Sequence, residues 1–169
     1  MEEGSEYFSS FGGILYNKDL TEIVAVPHGI KGEVVLADTL TSIGNYAFYK
    51  CSGLTSVTML EGVTSIGNSV FSGCSSLTNI IIPEGVTSIG GWAFNYCSAL
   101  TTVYYTGTAE EWDKITIGSN NEKLTAATVC YYSANDPFAG ENAATDGNYW
   151  RYVNGEPVVW VKEDEQAAA

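Results

Sequence analysis

One histidine, four cysteines and a few adjacent carboxylates are the reactive side chains of this sequence. His28 sits in Val-Pro-His-Gly-Ile, where Pro27 and Gly29 predict a turn and no neighbour holds the ring as a base. The patterns Gly-x-Ser-x-Gly, Gly-x-Gly-x-x-Gly, Gly-Lys-Thr and His-Glu-x-x-His are missing, so no catalytic residue, cofactor or metal is expected. The cysteines form no C-x-x-C pair, and a tetrahedral zinc site with a single histidine would need nearly every thiol at once. Glu110-Glu111 stands at a predicted helix start, where acids suit the helix dipole, and Glu163-Asp164-Glu165 lies in a polar tail. Asp136, Glu141 and Asp146 could gather a calcium ion, but they lack the dense Asp-x-Asp-x-Asp-Gly run of a dedicated loop. Trp150, Tyr152 and Trp160 could stack against a sugar; the reading preferred on physical grounds is that they form the small core of a hairpin with little else to bury.

Composition narrows the partners. The chain has 169 residues, of which 45% are hydrophobic and 16% charged, enough apolar surface to build a core. Its formal charge of −13 repels phosphate backbones and anionic headgroups, so nucleic acid is not an expected partner. No apolar run approaches the roughly 20 residues that span a bilayer, and Met-Glu-Glu-Gly-Ser does not read as a signal peptide; no membrane insertion is expected.

The elements that must position any site are set by a repeat. Ala37 to Met59, Leu60 to Ile82 and Pro83 to Tyr105 superimpose without gaps at a period of 23. The recurring columns include Ile43/Ile66/Ile89, Gly44/Gly67/Gly90, Phe48/Phe71/Phe94, Cys51/Cys74/Cys97, Leu54/Leu77/Leu100 and Val57/Ile80/Val103. A unit this short cannot enclose its own apolar residues, whereas stacked copies turn each column into a buried ladder. Alternation through Val57-Thr-Met59 predicts a strand with Val57 and Met59 facing in. Phe48 and Cys51, three apart, predict a short helical turn. Neighbouring thiols about 5 Å apart would be within bridging range if they faced one another, but reduced thiols packed as small hydrophobes are the preferred reading.

The pattern Val-Thr-Ser-Ile-Gly-x-x-x-Phe-x-x-Cys-x-x-Leu-Thr-x-Val resembles the BspA-type leucine-rich repeat of bacterial surface and secreted proteins. The flanks, Gly-Gly-Ile-Leu-Tyr-Asn-Lys-Asp-Leu-Thr-Glu-Ile-Val-Ala-Val-Pro before the array and Gly-Thr-Ala-Glu-Glu-Trp-Asp-Lys-Ile after it, resemble such proteins too. Leu60 departs from the pattern where Pro83 keeps it. The resemblance implies an α/β repeat fold, a leucine-rich-repeat solenoid, used for adhesion or protein recognition at the cell surface or outside the cell.

The expected organisation is an N-terminal capping hairpin over 1–36, three 23-residue repeats over 37–105, a C-terminal cap helix and strand over 106–132, and a loop, aromatic β-hairpin and acidic tail over 133–169. Thr108 with Glu111 makes a capping box for a helix of about ten residues, with Trp112 and Ile115 facing the last coil. Asn154-Gly155 is the hairpin turn.

Binding is expected on outward strand positions. These form two rows, Glu33/Ser56/Asn79/Thr102 and Val35/Thr58/Ile81/Tyr104, alternating with the buried column that contains Val57. Val35, Thr58, Ile81 and Tyr104 with Asn79 and Thr102 are the candidate contact residues, against the plainer reading of β-favouring residues on a solvated sheet. Two classes of function follow: a non-enzymatic module binding a host or bacterial protein through this face, or a carbohydrate-binding or spacer module of a larger extracellular protein.

Overall fold

A computed structural model describes residues 5–139, 144 and 147–160. The alternating β-branched runs form strands and the segments between them form tight turns. In chain order the elements are β1 (Phe8–Phe11), β2 (Ile14–Asn17), β3 (Ile23–Ala25), β4 (Lys31–Val35), β5 (Ser42–Ile43), β6 (Gly53–Thr58), β7 (Ser65–Ile66), β8 (Asn79–Ile82), β9 (Ser88–Ile89) and β10 (Thr102–Tyr105). They continue with α1 (Ala109–Trp112), β11 (Thr116–Ile117), α2 (Glu122–Thr125), β12 (Thr128–Tyr132), β13 (Tyr149–Val153) and β14 (Glu156–Val159).

Two parallel ladders make a β-solenoid of about four turns. The main sheet runs β14-β13-β12-β10-β8-β6-β4, and a second sheet runs β11-β9-β7-β5 along another side of the coils. Val34, Val57, Ile80, Val103 and Val129 are partners across the first sheet, and Ile43, Ile66, Ile89 and Ile117 across the second. The first three turns keep the 23-residue register. A fourth, longer turn follows, because β11 and β12 rejoin both ladders after α1 and α2 are inserted. The second sheet was not foreseen from sequence, although the recurring Ser-Ile pair at Ser42, Ser65 and Ser88 marks it.

Between the sheets lie the ladders. Phe48, Phe71 and Phe94 are fully buried, with successive ring centroids 5.3 and 5.2 Å apart. The spacing is close to the roughly 4.8 Å between neighbouring strands, so each ring packs on the next copy of itself.

The segment carrying these phenylalanines is not helical, contrary to the reading from Phe48 and Cys51. Tyr46 and Lys50 adopt φ of 62° and 58°, and their counterparts Ser69, Gly73, Trp92 and Tyr96 also have positive φ. Alternate amides point along the solenoid: those of Tyr46, Phe48 and Lys50 donate to the carbonyls of Asn68, Val70 and Ser72 in the next coil. The amides between them close turns, Ala47 to Gly44, Tyr49 to Tyr46 and Cys51 to Phe48. A helix would consume all these donors within its own segment and leave the next coil unpaired. A three-residue spacing of inward side chains fits either arrangement, and stacking favours the turns.

The glycine column is required by close approach. A Cβ on Gly67 would meet the Asn45 amide nitrogen at 2.9 Å, one on Gly90 the Asn68 amide nitrogen at 2.6 Å, and one on Gly118 the Gly91 amide nitrogen at 2.5 Å. Beside this column Asn45 Oδ1 accepts from the Asn68 amide and Asn68 Oδ1 from the Gly91 amide. Buried Asn121 ends the series, accepting from the Phe94 amide and donating to the carbonyls of Gly90 and Gly118.

The two ends are closed differently. At the N-terminus β1 pairs with β2 and β2 with β3, all antiparallel, making a three-stranded sheet where sequence suggested a hairpin. Ile14 and Tyr16 turn inward from β2 and join the core. After β10, the Thr108–Glu111 capping box forms, but α1 is four residues long and not about ten. The chain must reach the second sheet at Thr116, and Ile115 is already buried against the coils, so the helix stops early. Trp112 packs edge-on to Tyr105, at 5.2 Å between centroids. The β13–β14 hairpin turns on Asn154 and Gly155, with φ of 54° and 88°, the two left-handed positions of a type I′ turn.

Truncating Phe71 to Ala removes the middle ring of the phenylalanine ladder, and stability measured by denaturant titration should fall by about 3–5 kcal/mol. A loss below about 1 kcal/mol would show that the ladder does not carry the core.

Candidate functional site

The outer face of the main sheet carries the site. Because side chains alternate across a strand, the residues flanking the buried valine and isoleucine ladder point away from the core: Glu33 and Val35 on β4, Ser56 and Thr58 on β6, Asn79 and Ile81 on β8, Thr102 and Tyr104 on β10. Cys130 on β12 occupies the same face. β13 extends the sheet by pairing in parallel with β12, Tyr131 opposite Tyr149 and Tyr132 opposite Trp150.

Trp150 then folds back over the face. It packs with Ile81, Cys130 and Tyr104, lies 5.2 Å from the Tyr104 ring, and donates from Nε1 to the Tyr105 carbonyl at 2.9 Å. This covers part of the expected row. Ile81 points outward as its register requires, yet it is only 3% exposed, so the expectation of an exposed isoleucine is corrected: Trp150 needs an apolar bed and Ile81 provides it.

The covering creates a cleft. The sheet forms its floor and the hairpin its wall, enclosing about 500 Å³. Val35, Thr58, Ile81, Tyr104 and Asn79 all line it; Thr102 does not. Val35 is 47% exposed and Thr58, Asn79 and Tyr104 are half-buried. Ser56 Oγ donates to Asn79 Oδ1 at 2.7 Å, which fixes the polar part of the floor. Tyr152, Gly155, Glu156 and Pro157 form the wall, and Glu33 and Leu60 complete the lining. A smaller hollow of about 390 Å³ shares Leu60 and Tyr152 and holds Glu61 and Glu84. Burial raises the Tyr104 and Tyr152 hydroxyls above the usual phenol range, with Cys130 adding to the first and Glu61 to the second, so both are protonated donors at neutral pH.

The three-ring sugar platform is not assembled. Trp150 is fully buried, Tyr152 is 44% exposed on the cleft, and Trp160 lies against Arg151, whose guanidinium is 3.8 Å from its ring centroid. Trp150 and Tyr152 share one face of β13, with ring centroids 4.8 Å apart, whereas Trp160 packs with Arg151 on the other face.

The repeat columns decide what the chain resembles. A model of the BspA-type leucine-rich repeat region matches residues 31–131, in six copies, more than half of the chain. The chain belongs to the BspA-type leucine-rich repeat family. Solved bacterial structures agree. A leucine-rich repeat protein from Eubacterium ventriosum is 25% identical with a TM-score of 0.60, over 76% of this chain and 34% of that one. The pneumococcal vaccine antigen PcpA is 17% identical with a TM-score of 0.55, over 85% and 40%, and the leucine-rich repeat protein of T. pallidum is 21% identical with a TM-score of 0.51, over 79% and 72%. The chain therefore spans about a third of the first of these and about two fifths of the second. No curated protein matches it.

The other reactive residues of this BspA-type chain are placed as structure. His28 is exposed in the turn before β4. Glu111 is held below the usual carboxylate range by the Thr108 amide and hydroxyl of its capping box. Asp136 accepts from the Phe138 amide, and Glu141, Asp146 and Glu163-Asp164-Glu165 lie outside the described residues. Among the described residues no three His, Cys, Asp or Glu side chains are grouped to hold a metal, and no helix is long and apolar enough to cross a membrane. Cys51, Cys74 and Cys97 are buried free thiols; Cys74 Sγ donates to the Phe48 carbonyl and Cys97 Sγ to the Phe71 carbonyl, both at 3.1 Å.

Sequence reasoning missed the wall of the cleft. The Asn-Gly signal predicts the hairpin that carries Tyr152 and Glu156 without saying where it docks.

Burial drives the Cys74 thiol far above its usual range and pushes Cys97 up to about 12. A folded-state pKa above the unfolded one means that the native state keeps protons the unfolded chain gives up. The contribution of these thiols to stability should be constant below pH ~8.5 and then decline toward pH ~12, by up to about 1.4 kcal/mol per pH unit for each. Urea titrations across this range, with Cys97→Ala as reference, measure it. Maleimide labelling of Cys74 and Cys97 should be slow in the native protein and fast in denaturant; equal rates would show open thiols.

Proposed function

We propose that this chain is a non-enzymatic recognition module of the cell surface or the extracellular space, binding a host or bacterial protein through the strand face of its solenoid. The observation that carries this reading is the cleft on that face: rigid parallel strands form its floor, and half-exposed apolar, hydroxyl and aromatic side chains line it. A fixed sheet presents such groups at small ordering cost, which suits it to protein contact. The family supports the reading, and so does the likeness in fold to a pneumococcal vaccine antigen. The reading needs no chemical step: His28 stands away from the cleft lining, which holds no nucleophile paired with a base. A carbohydrate ligand is the second reading, and it rests on Tyr152, the one ring of the expected platform that faces the cleft.

Ile81 is too deeply packed to probe binding without disturbing the fold, so Thr58 is the better position. Thr58→Arg places a bulky cation in the middle of the cleft floor. Binding to a protein partner, measured by biolayer interferometry, should weaken at least about tenfold, or 1.4 kcal/mol, while the melting temperature stays within a few degrees. Tyr96→Arg, on an exposed turn outside the cleft, should leave binding intact. Unchanged affinity for Thr58→Arg would move the interface off this face, and binding on a glycan array that is lost with Tyr152→Ala would favour the carbohydrate reading.

A further inference from the structure

The charged side chains that line the cleft and its neighbouring hollow are, among the described residues, all acids. Glu33 and Glu156 border the cleft, one from the sheet and one from the hairpin, and Glu61 and Glu84 border the hollow on the other side of Tyr152. Among the described residues no lysine or arginine lines either space. The cation of the hairpin, Arg151, packs against Trp160 on the other face of β13. The carboxylates alone would make no site. What gives them a geometry is the groove between them, with an apolar floor of Val35 and Ile81, Leu60 at the junction of the two spaces, and the rings of Tyr104 and Tyr152 beside it. Leu60 stands where the next repeat has the buried Pro83, so a longer and partly exposed apolar side chain faces the groove at this one coil.

Such a groove fits one kind of side chain. An arginine or lysine has an apolar stem that can lie along Val35 and Leu60, and a charged head that favours aromatic faces and carboxylates. Of the two, arginine matches better, because its planar head stacks on a tyrosine ring while its edge donates to a carboxylate. A phosphate, an acidic peptide or an anionic headgroup would meet four carboxylates, in a chain of formal charge −13. We infer that the cleft between the strand face and the C-terminal hairpin recognises an arginine side chain presented by an extended segment of a protein partner. The inference rests on the proposed use of the strand face and adds the chemistry of the ligand.

The test uses two probes of equal shape and different charge, the capped peptide Gly-Arg-Gly-Arg-Gly and its citrulline counterpart, titrated into the full ¹⁵N-labelled chain at low ionic strength. The arginine peptide should shift the amides of Ser56, Asn79 and Gly155 saturably, and the citrulline peptide should leave them in place. Glu33→Gln with Glu156→Gln should weaken the arginine peptide at least about tenfold, whereas Glu22→Gln with Glu122→Gln, an equal loss of charge outside the cleft, should change it less than about twofold. Equal weakening by the two pairs would overturn the inference in favour of a diffuse field effect, as would the absence of shifts at those amides. Equal shifts with both peptides would overturn the arginine preference and leave the strand face as a binding surface. Failure of the strand-face reading itself would show separately, as a protein partner that still binds Thr58→Arg.

Discussion

A coil of 23 residues encloses one layer of side chains and cannot satisfy its own backbone, so every other feature depends on the bonding between successive coils. The strands do this in the usual way of a parallel sheet. The turns do it too: with Tyr46 and Lys50 left-handed, every second amide from Tyr46 to Lys50 reaches the next coil, and the Gly67, Gly90 and Gly118 column lets the backbones close to contact distance. Threonine hydroxyls follow the same rule, Thr64 donating to the Thr41 carbonyl and Thr87 to the Thr64 carbonyl. Identical neighbours meet identical needs, which is why the same residue types return at each turn.

The consequence of such bonding is an unfinished end. The last coil of a solenoid exposes both ladder edges and the next layer of core. Here the fourth turn inserts α1 and α2 and still rejoins both sheets, with Leu124 and Ile115 completing the core and Asn121 closing the polar series. The main sheet then receives β13 and β14, so its final edge is an antiparallel hairpin strand that carries Pro157. A proline on an edge offers no amide to a further strand. The hairpin both ends the array and builds the cleft, since Trp150 anchors it over Ile81, Cys130 and Tyr104.

That anchoring changes the character of the strand face. A bare sheet would present an open row from Val35 to Tyr104, flat and accessible throughout. With the tryptophan in place, the apolar end of the row is consumed as a small second core, while the end near Val35 and Thr58 stays accessible below the hairpin turn. The acids gather around this opening because the hairpin brings Glu156 toward a sheet that already carries Glu33. A wide uniform platform becomes a defined concavity with one sign of charge, and concavities focus such fields more than flat surfaces do.

The sequence by itself determined the repeat, its period, the parallel strands and the identity of the buried ladders. Each of these is a local pattern multiplied by copying, so a column such as Phe48/Phe71/Phe94 or Gly44/Gly67/Gly90 could be read without knowing what it touches. The capping box at Thr108 and the turn at Asn154-Gly155 were legible for the same reason: both are made by residues a few positions apart. The turn conformation at Tyr46–Lys50 was not, because a spacing of three inward residues suits a helix and a stacked turn alike, and hydrogen bonds to the neighbouring coil decide between them. Nor was the short length of α1, set by where Ile115 and Thr116 must meet the older coils. The cleft is the clearest case. Ile81 and Trp150 are 69 positions apart and no period links them, so only tertiary packing could bury the isoleucine, divide the aromatic residues between two faces of β13 and set Tyr152 and Glu156 opposite the strand row. An apolar surface is covered by whichever element can reach it, and that choice belongs to the folded chain as a whole.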